Sequence, residues 1–226
     1  MLYLVSTPIG NLEDISLRAL RILREADIVL AEDTRHTGLL LNHYDIPHKS
    51  MISFYEEVEN QKLPGLLNLI RSGQKVVLVS DAGSPLISDP GYKLVREILR
   101  SGEKVAVIPG ASALIAALQI SGLPPDRFVF LGYFPDKVSH QKLLLKLVGG
   151  LLQIISLTVI FYASPYKLKN NLESMEEILG DVEIVVVREL TKIYEEVWRG
   201  KVSQARLKFA KPKGEFVVLY NKTANI

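Results

Sequence analysis

The sequence predicts an α/β protein of two lobes, with a mainly parallel sheet in the first and a mixed sheet in the second. Three observations predict it. Over the first half, short apolar runs alternate with amphipathic helical stretches, the pattern of strand–helix–strand units whose helices cover a parallel sheet. At 122–128 the segment GLPPDRF breaks that rhythm, its paired prolines blocking helix continuation. Beyond it the connection across 187–199 is too short for a crossover helix, which favours an antiparallel step. The expected lobes are 1–113 and 114–226, meeting near 110–125.

In the first lobe, 2–6, 28–32, 50–54, 75–80 and 104–108 read as strands, because they are short apolar runs alternating with amphipathic helical stretches. Helical periodicity falls at 15–25, 34–42, 56–72, 90–101 and 111–121. Ser72-Gly73 and Ser101-Gly102 stand where a helix C-terminal glycine is expected, and Pro90 and Pro165 where a first-turn proline is expected. In the second lobe the strands are placed at 127–131, 157–162, 183–188, 195–199 and 215–220, and the helices at 138–148, 165–179 and 201–211. The run 147–163 is almost uncharged, but it is short for a membrane span and is broken by Gly149-Gly150. It reads as a helix end, a turn and a buried strand.

Composition narrows the chemistry. The 226 residues are 48% hydrophobic and 23% charged, an ordinary globular balance, with a net charge of +2. Residues 114–226 hold 15 basic and 11 acidic side chains against 12 and 14 in residues 1–113, and the excess is densest from Lys192 to Lys213. Such a stretch can meet phosphates, although a solvated surface is the commoner outcome. There is no cysteine, which excludes disulfides, zinc–thiolate sites and cysteine nucleophiles and fits a reducing, cytoplasmic setting. The N-terminus lacks the basic start of a signal peptide. His36, His43, His48 and His140 have no metal-ligand spacing, and no metal is expected. Three are expected at the surface, and His36 is set apart by adjoining Glu32-Asp33-Thr34-Arg35.

Ligands of open parallel sheets bind beyond the carboxyl ends of the strands, so the segments that follow each strand matter most. They are STPIGNL after the first, EDTR after the second, SDAGSPLISDPG after the fourth and PGASA after the fifth. The first has a single glycine, so it is neither a dinucleotide fingerprint nor a phosphate-cradling Gly-Lys-Ser/Thr loop; it reads equally well as a tight turn with Asp14 or Ser16 capping the next helix. The twelve-residue loop 80–91 is far longer than a plain connection needs, and its glycines and carboxylates suit close backbone approach to a ligand and contacts to hydroxyl or amino groups. Within EDTRH, Asp33 or Thr34 can cap a helix. Glu32 and Asp33 are the catalytic candidates by strand-end position and acid/base type, and Arg18, Thr34, Arg35 and His36 are the candidates for substrate contact, the arginines through phosphates.

Taken in order, VSTPIGNLEDISLRAL, AEDTRHTGLLL, VSDAGSPLISDPGYKLV, PGASAL, SGLPPDRFVFLGYFP, VVVRELTKIYEEVWRG and KGEFVVL resemble the signatures of the bacterial 16S rRNA ribose 2′-O-methyltransferases, a family within the tetrapyrrole methylase superfamily. The resemblance covers nearly all of 1–220. It implies a tetrapyrrole methylase-like (class III) methyltransferase fold, with S-adenosylmethionine in the cleft between the lobes, commonly in a homodimer. It implies cofactor contacts from Pro8, Ile9 and Gly10, from Asp81, Gly83 and Ser84, from Ser112 and Ala113, and from Tyr162, Arg188 and Gly214. The implied acceptor is the 2′-hydroxyl of cytidine 1402 of 16S rRNA, free or in the small ribosomal subunit. The sequence departs from the family pattern at Ala163, where a glutamate is usual, at Tyr55, where histidine is frequent, and at 136–142, where a strongly basic loop is usual. The alternatives are a methyltransferase acting on a tetrapyrrole of the precorrin type, or a non-catalytic RNA-binding relic of the fold. A nucleoside-triphosphate phosphatase would need metal-binding carboxylates clustered on helices, which the sequence lacks.

Overall fold

The structure is a computed structural model that describes residues 1–47 and 50–223; His48 lies outside the described residues. The chain divides into two compact units, Met1–Ser112 and Ala113–Ile226.

The first unit is a five-stranded parallel sheet. Its strands are β1 (Leu2–Val5), β2 (Ile28–Ala31), β3 (Ser50–Ser53), β4 (Val76–Val79) and β5 (Val105–Ile108), in the order β3-β2-β4-β1-β5. Its helices are α1 (Leu17–Glu25), α2 (Thr34–His43), α3 (Glu56–Arg71) and α4 (Tyr92–Arg100). Successive side chains of a strand point to opposite faces, and each strand feeds two cores accordingly. Val5, Val29, Ala31, Val77 and Val79 pack with Ala19, Ile22 and Leu23 of α1 and Leu41 of α2. Leu2, Leu4, Ile28, Leu30, Val76 and Leu78 pack on the other face with Leu66 and Ile70 of α3 and Leu94 and Ile98 of α4. Burial on both faces explains why β2 and β4 are continuous apolar runs.

The helix ends follow the local chemistry. Ser16 caps α1, its hydroxyl accepting from the Ala19 N–H at 3.0 Å. After α3, Gly73 N–H donates to Ile70 and Gln74 N–H to Leu69, with Gly73 at φ +90, the expected C-terminal device. Pro90 is not the first residue of its helix. The N-cap is Gly91 and α4 starts at Tyr92, so Pro90 precedes the cap and ends the long loop instead. The expectation holds for Pro165, which opens its helix.

The second unit is a mixed sheet in the order β6-β7-β10-β8-β9. Its strands are β6 (Phe128–Tyr133), β7 (Thr158–Ala163), β8 (Glu183–Arg188), β9 (Glu196–Lys201) and β10 (Phe216–Asn221). Only β6 and β7 run parallel, and β8 and β9 form the antiparallel step expected from their short connection. Helix α5 (Ala113–Ser121) covers one face through Leu114, Ala117 and Leu118. The other face is covered by α6 (Val138–Ile154), α7 (Pro165–Leu179) and α8 (Val202–Lys208).

Helix α6 corrects the sequence reading, because it continues through Gly149-Gly150 to Ile154 and the turn comes after it. Two glycines cost about 2 kcal/mol of helix propensity. Burial of Val148 and Leu152 against the sheet offsets that, and at Gly149 a Cβ would lie 3.4 Å from Leu179 Cδ2 of α7. No helix among the described residues is long and apolar enough to cross a membrane.

Candidate functional site

Strands β1 and β4 are neighbours, yet α1 and α4, the helices that follow them, cover opposite faces of the sheet. Their loops therefore part at the carboxyl edge, which makes this the topological switch point where open α/β sheets bind ligands. The loops are tied together there. Thr7 N–H donates to Gly83 O at 2.9 Å and Gly83 N–H to Thr7 O at 3.1 Å. The Thr7 hydroxyl donates to Ser80 O at 3.2 Å. A hydroxyl relay joins the third loop, with Ser6 Oγ 3.0 Å from Ser84 Oγ and Ser84 Oγ donating to Ala111 O at 3.2 Å. Pro8, Ile9 and Gly83 are buried in this arrangement, while Gly10 is exposed and Asp81, Ser84 and Ser112 are half-buried. Ala113 opens α5 in the second unit.

The long loop holds its shape at a conformational cost. Leu86 and Ser88 sit at φ 76 and 69, and Gly91 at φ 123. Left-handed non-glycine residues cost of order 1 kcal/mol or more and gather where function demands a fixed shape. Gly91 is also pressed against the core, since a Cβ there would be 2.7 Å from Leu78 Cδ2.

The structure separates the two adjacent carboxylates. Asp33 is the N-cap of α2, accepting from Arg35 N–H at 2.8 Å and from the Arg35 guanidinium at 3.1 and 2.7 Å. These bonds hold its carboxyl well below the usual carboxylate range, so it is a weak base committed to the helix end, and Thr34 is the first helical residue rather than the cap. Glu32 makes no such contact among the described residues. Burial and the neighbouring Asp81 charge push its pKa up, which strengthens it as a proton acceptor. It lines a pocket of about 450 Å³ together with Tyr55, Glu56, Ser88, Asp89 and Tyr92. Asp81 accepts from Asp33 N–H at 3.1 Å and lies 3.9 Å from His36 Nδ1.

Asp89 is the residue that sequence reasoning missed. Burial and the Glu32 charge, opposed by the Ser80 hydroxyl and aided by Asp81, push its pKa up to about 6. The available signal was the second Ser-Asp pair, Ser88-Asp89, echoing Ser80-Asp81 in one loop. Of the substrate candidates on α1 and α2, Arg18, Arg35 and His36 are exposed and Thr34 is half-buried. Arg18 reaches Val107 O at 3.5 Å, and Arg35 is occupied by Asp33. His43 and His140 are exposed, as expected.

In the second unit, Tyr162 stacks edge-on with Phe130 and Tyr133 at 4.8 and 5.6 Å between ring centres. Arg188 Nε donates to Lys213 O at 2.7 Å, and its guanidinium lies 3.6 Å from Glu196. Gly214, at φ +91, lies so close to Glu189 that a Cβ would come within 2.6 Å of that side chain. Glu189 in turn accepts from Glu215 N–H and Lys192 Nζ. At Ala163 the side chain is 2% exposed and belongs to the apolar core with Phe161 and Phe216. A glutamate there would bury a charge, and alanine leaves none to satisfy.

Residues 1–206 match the family model described as Tetrapyrrole (Corrin/Porphyrin) Methylases. The chain belongs to the tetrapyrrole methylase family. Within this family it is 46% identical over 220 residues to a protein of Thermotoga maritima named ribosomal RNA small subunit methyltransferase I, covering 96% of both chains. A Streptococcus pyogenes protein of the same name is also 46% identical, over 96% of this chain and 75% of the relative. Among solved structures, uroporphyrin-III C-methyltransferase from Thermus thermophilus, complexed with S-adenosyl homocysteine, superposes with a TM-score of 0.67 at 20% identity, covering 96% of each chain. At that identity the likeness establishes the methylase fold.

Proposed function

We propose that this methylase transfers the methyl group of S-adenosylmethionine to the ribose 2′-hydroxyl of cytidine 1402 in 16S rRNA, acting in the cytoplasm as a homodimer on the RNA or the small ribosomal subunit. The observation that carries the chemistry is Glu32, a partly buried carboxylate of raised pKa at the carboxyl end of β2, beside the switch-point loops. The names of the relatives support the RNA acceptor over a tetrapyrrole.

The residues present fit the cofactor. Gly83 at φ +80 packs so closely on Ile9 that a Cβ would lie 3.3 Å from its Cγ2, which holds the loop beside Asp81, whose half-buried carboxylate suits hydroxyl or amino groups. Cofactor contacts are assigned to Pro8, Ile9, Gly10, Asp81, Gly83, Ser84 and Ser112 in the first unit and to Ala113, Tyr162, Arg188 and Gly214 in the second. S-adenosylmethionine supplies a methyl group made electrophilic by its sulfonium. The ribose hydroxyl is a weak acid, so Glu32 accepts its proton as the oxygen–carbon bond forms and the carbon–sulfur bond breaks, leaving a neutral thioether. Holding the hydroxyl in line is the other requirement, assigned to Arg18, Thr34, Arg35 and His36. Asp33 fixes α2 and Arg35 rather than moving a proton.

Glu32→Gln tests this. It is expected to lower kcat about 100-fold or more while the Kd for S-adenosylmethionine, measured by calorimetry, stays within about twofold. Equal losses in both would assign Glu32 to the fold.

A further inference from the structure

Of the seven cations between Lys192 and Lys213, three are engaged elsewhere in the fold. Lys192 pairs with Glu189 and Glu215. Arg199 donates to the carbonyls of Ile120 and Ser121, and Arg206 is held by Glu173 and Glu176. Lys208, Lys211 and Lys213 converge with Arg188 at one end of the second unit, where they line a pocket of about 200 Å³ around one carboxylate, Glu196, over Phe209 and Pro212. Glu196 neutralises one of these charges, taking Lys208 Nζ at 2.8 Å and the Arg188 guanidinium at 3.6 Å. The pocket therefore keeps an excess of about three positive charges.

Its geometry is fixed in advance. Arg188 and Glu196 stand opposite each other across the β8–β9 ladder, and Arg188 Nε fastens the Lys211-Pro212-Lys213 turn through Lys213 O at 2.7 Å. Lys211 and Lys213 are exposed, and neither ammonium has a hydrogen-bond or ion-pair partner among the described residues. Two unengaged ammonium groups on a turn held by an arginine, around a concave surface, favour an anion with several oxygens. We propose that this pocket is a phosphate subsite for the RNA backbone, in which Lys211 and Lys213 contact a phosphodiester and Arg188 holds the turn that carries them. The proposal rests on the RNA-methylating function above. These contacts position the substrate and do not read its sequence.

The test is the paired variant Lys211→Gln/Lys213→Gln, compared with Lys146→Gln/Lys169→Gln, which removes the same charge from exposed positions on α6 and α7. Retention of labelled 16S rRNA on the protein is measured over a salt series without cofactor, alongside methyl transfer. The expected result is a five- to tenfold weaker RNA Kd for the 211/213 variant, with a salt slope lower by roughly 0.7 per lost phosphate contact. The cofactor Kd and kcat at saturating RNA should be unchanged, and the control pair should shift RNA affinity less than twofold. Equal effects from both pairs, or none from 211/213, would overturn the proposal. Salt-dependent RNA retention that needs Lys211 and Lys213, in a protein that transfers no methyl to this RNA, would support the subsite while overturning the reaction.

Discussion

Asp89→Asn should make the protein more stable at neutral pH and leave it unchanged in acid. The Asp89 carboxyl titrates near pH 6 instead of its ordinary 3.8, chiefly because it is buried and faces Glu32. A raised folded-state pKa means that the folded protein holds a proton that the unfolded chain has already released between about pH 4 and 6. Stability therefore falls as pH rises through that window, and the full cost is present above it. Undiscounted, the shift corresponds to about 3 kcal/mol. Partial solvent exposure reduces this to about 1–2 kcal/mol. Asparagine keeps the shape and removes the charge, so the melting temperature at pH 8 should rise by about 3–6 °C for a chain of this size. The gain should shrink to nothing near pH 4. Thermal unfolding of both proteins by circular dichroism from pH 4 to 8 reads this directly. A variant no more stable at pH 8, or a gain independent of pH, would refute the placement of Asp89 among mutually repelling carboxylates.

Three further outcomes follow from the same geometry. Asp33→Ala removes the cap of α2 and the partner of Arg35; it should lower the melting temperature slightly yet keep kcat within about threefold, whereas loss of activity matching Glu32→Gln would move the base to Asp33. Gly91→Ala drives a Cβ against Leu78 and Leu86 at a φ of 123, and should cost about 2 kcal/mol or more in denaturant unfolding. Glu59, 3% exposed, accepts from the Leu94 N–H in the first turn of α4 at 3.1 Å. Glu59→Ala leaves that N–H and a cavity behind, and should cost about 2 kcal/mol while sparing the cofactor Kd.

The first unit was legible in the sequence because its central strands β2 and β4 are buried on both faces and so appear as unbroken apolar runs such as Val76–Val79. The loops that carry the site were legible for the same reason, since they begin where those runs stop. What the sequence hid was decided by tertiary contact. Gly149-Gly150 looks like a break, but Leu179 packs against it and the helix continues. Glu32 and Asp33 are neighbours of one chemical type, and only the start of α2 makes one a cap and leaves the other facing a pocket. Asp89 was hidden because nothing local marks the charge it faces across the fold. Pro90 misled because proline before an N-cap and proline after one look alike until the left-handed Gly91 is placed.

The most direct test of the reaction is methyl transfer from radiolabelled S-adenosylmethionine to 16S rRNA, offered free and in assembled small subunits, followed by digestion and identification of the labelled nucleoside. The predicted result is label in 2′-O-methylcytidine. Label in no nucleoside from either form, with cofactor binding intact, would contradict an RNA ribose acceptor and point to a small-molecule one.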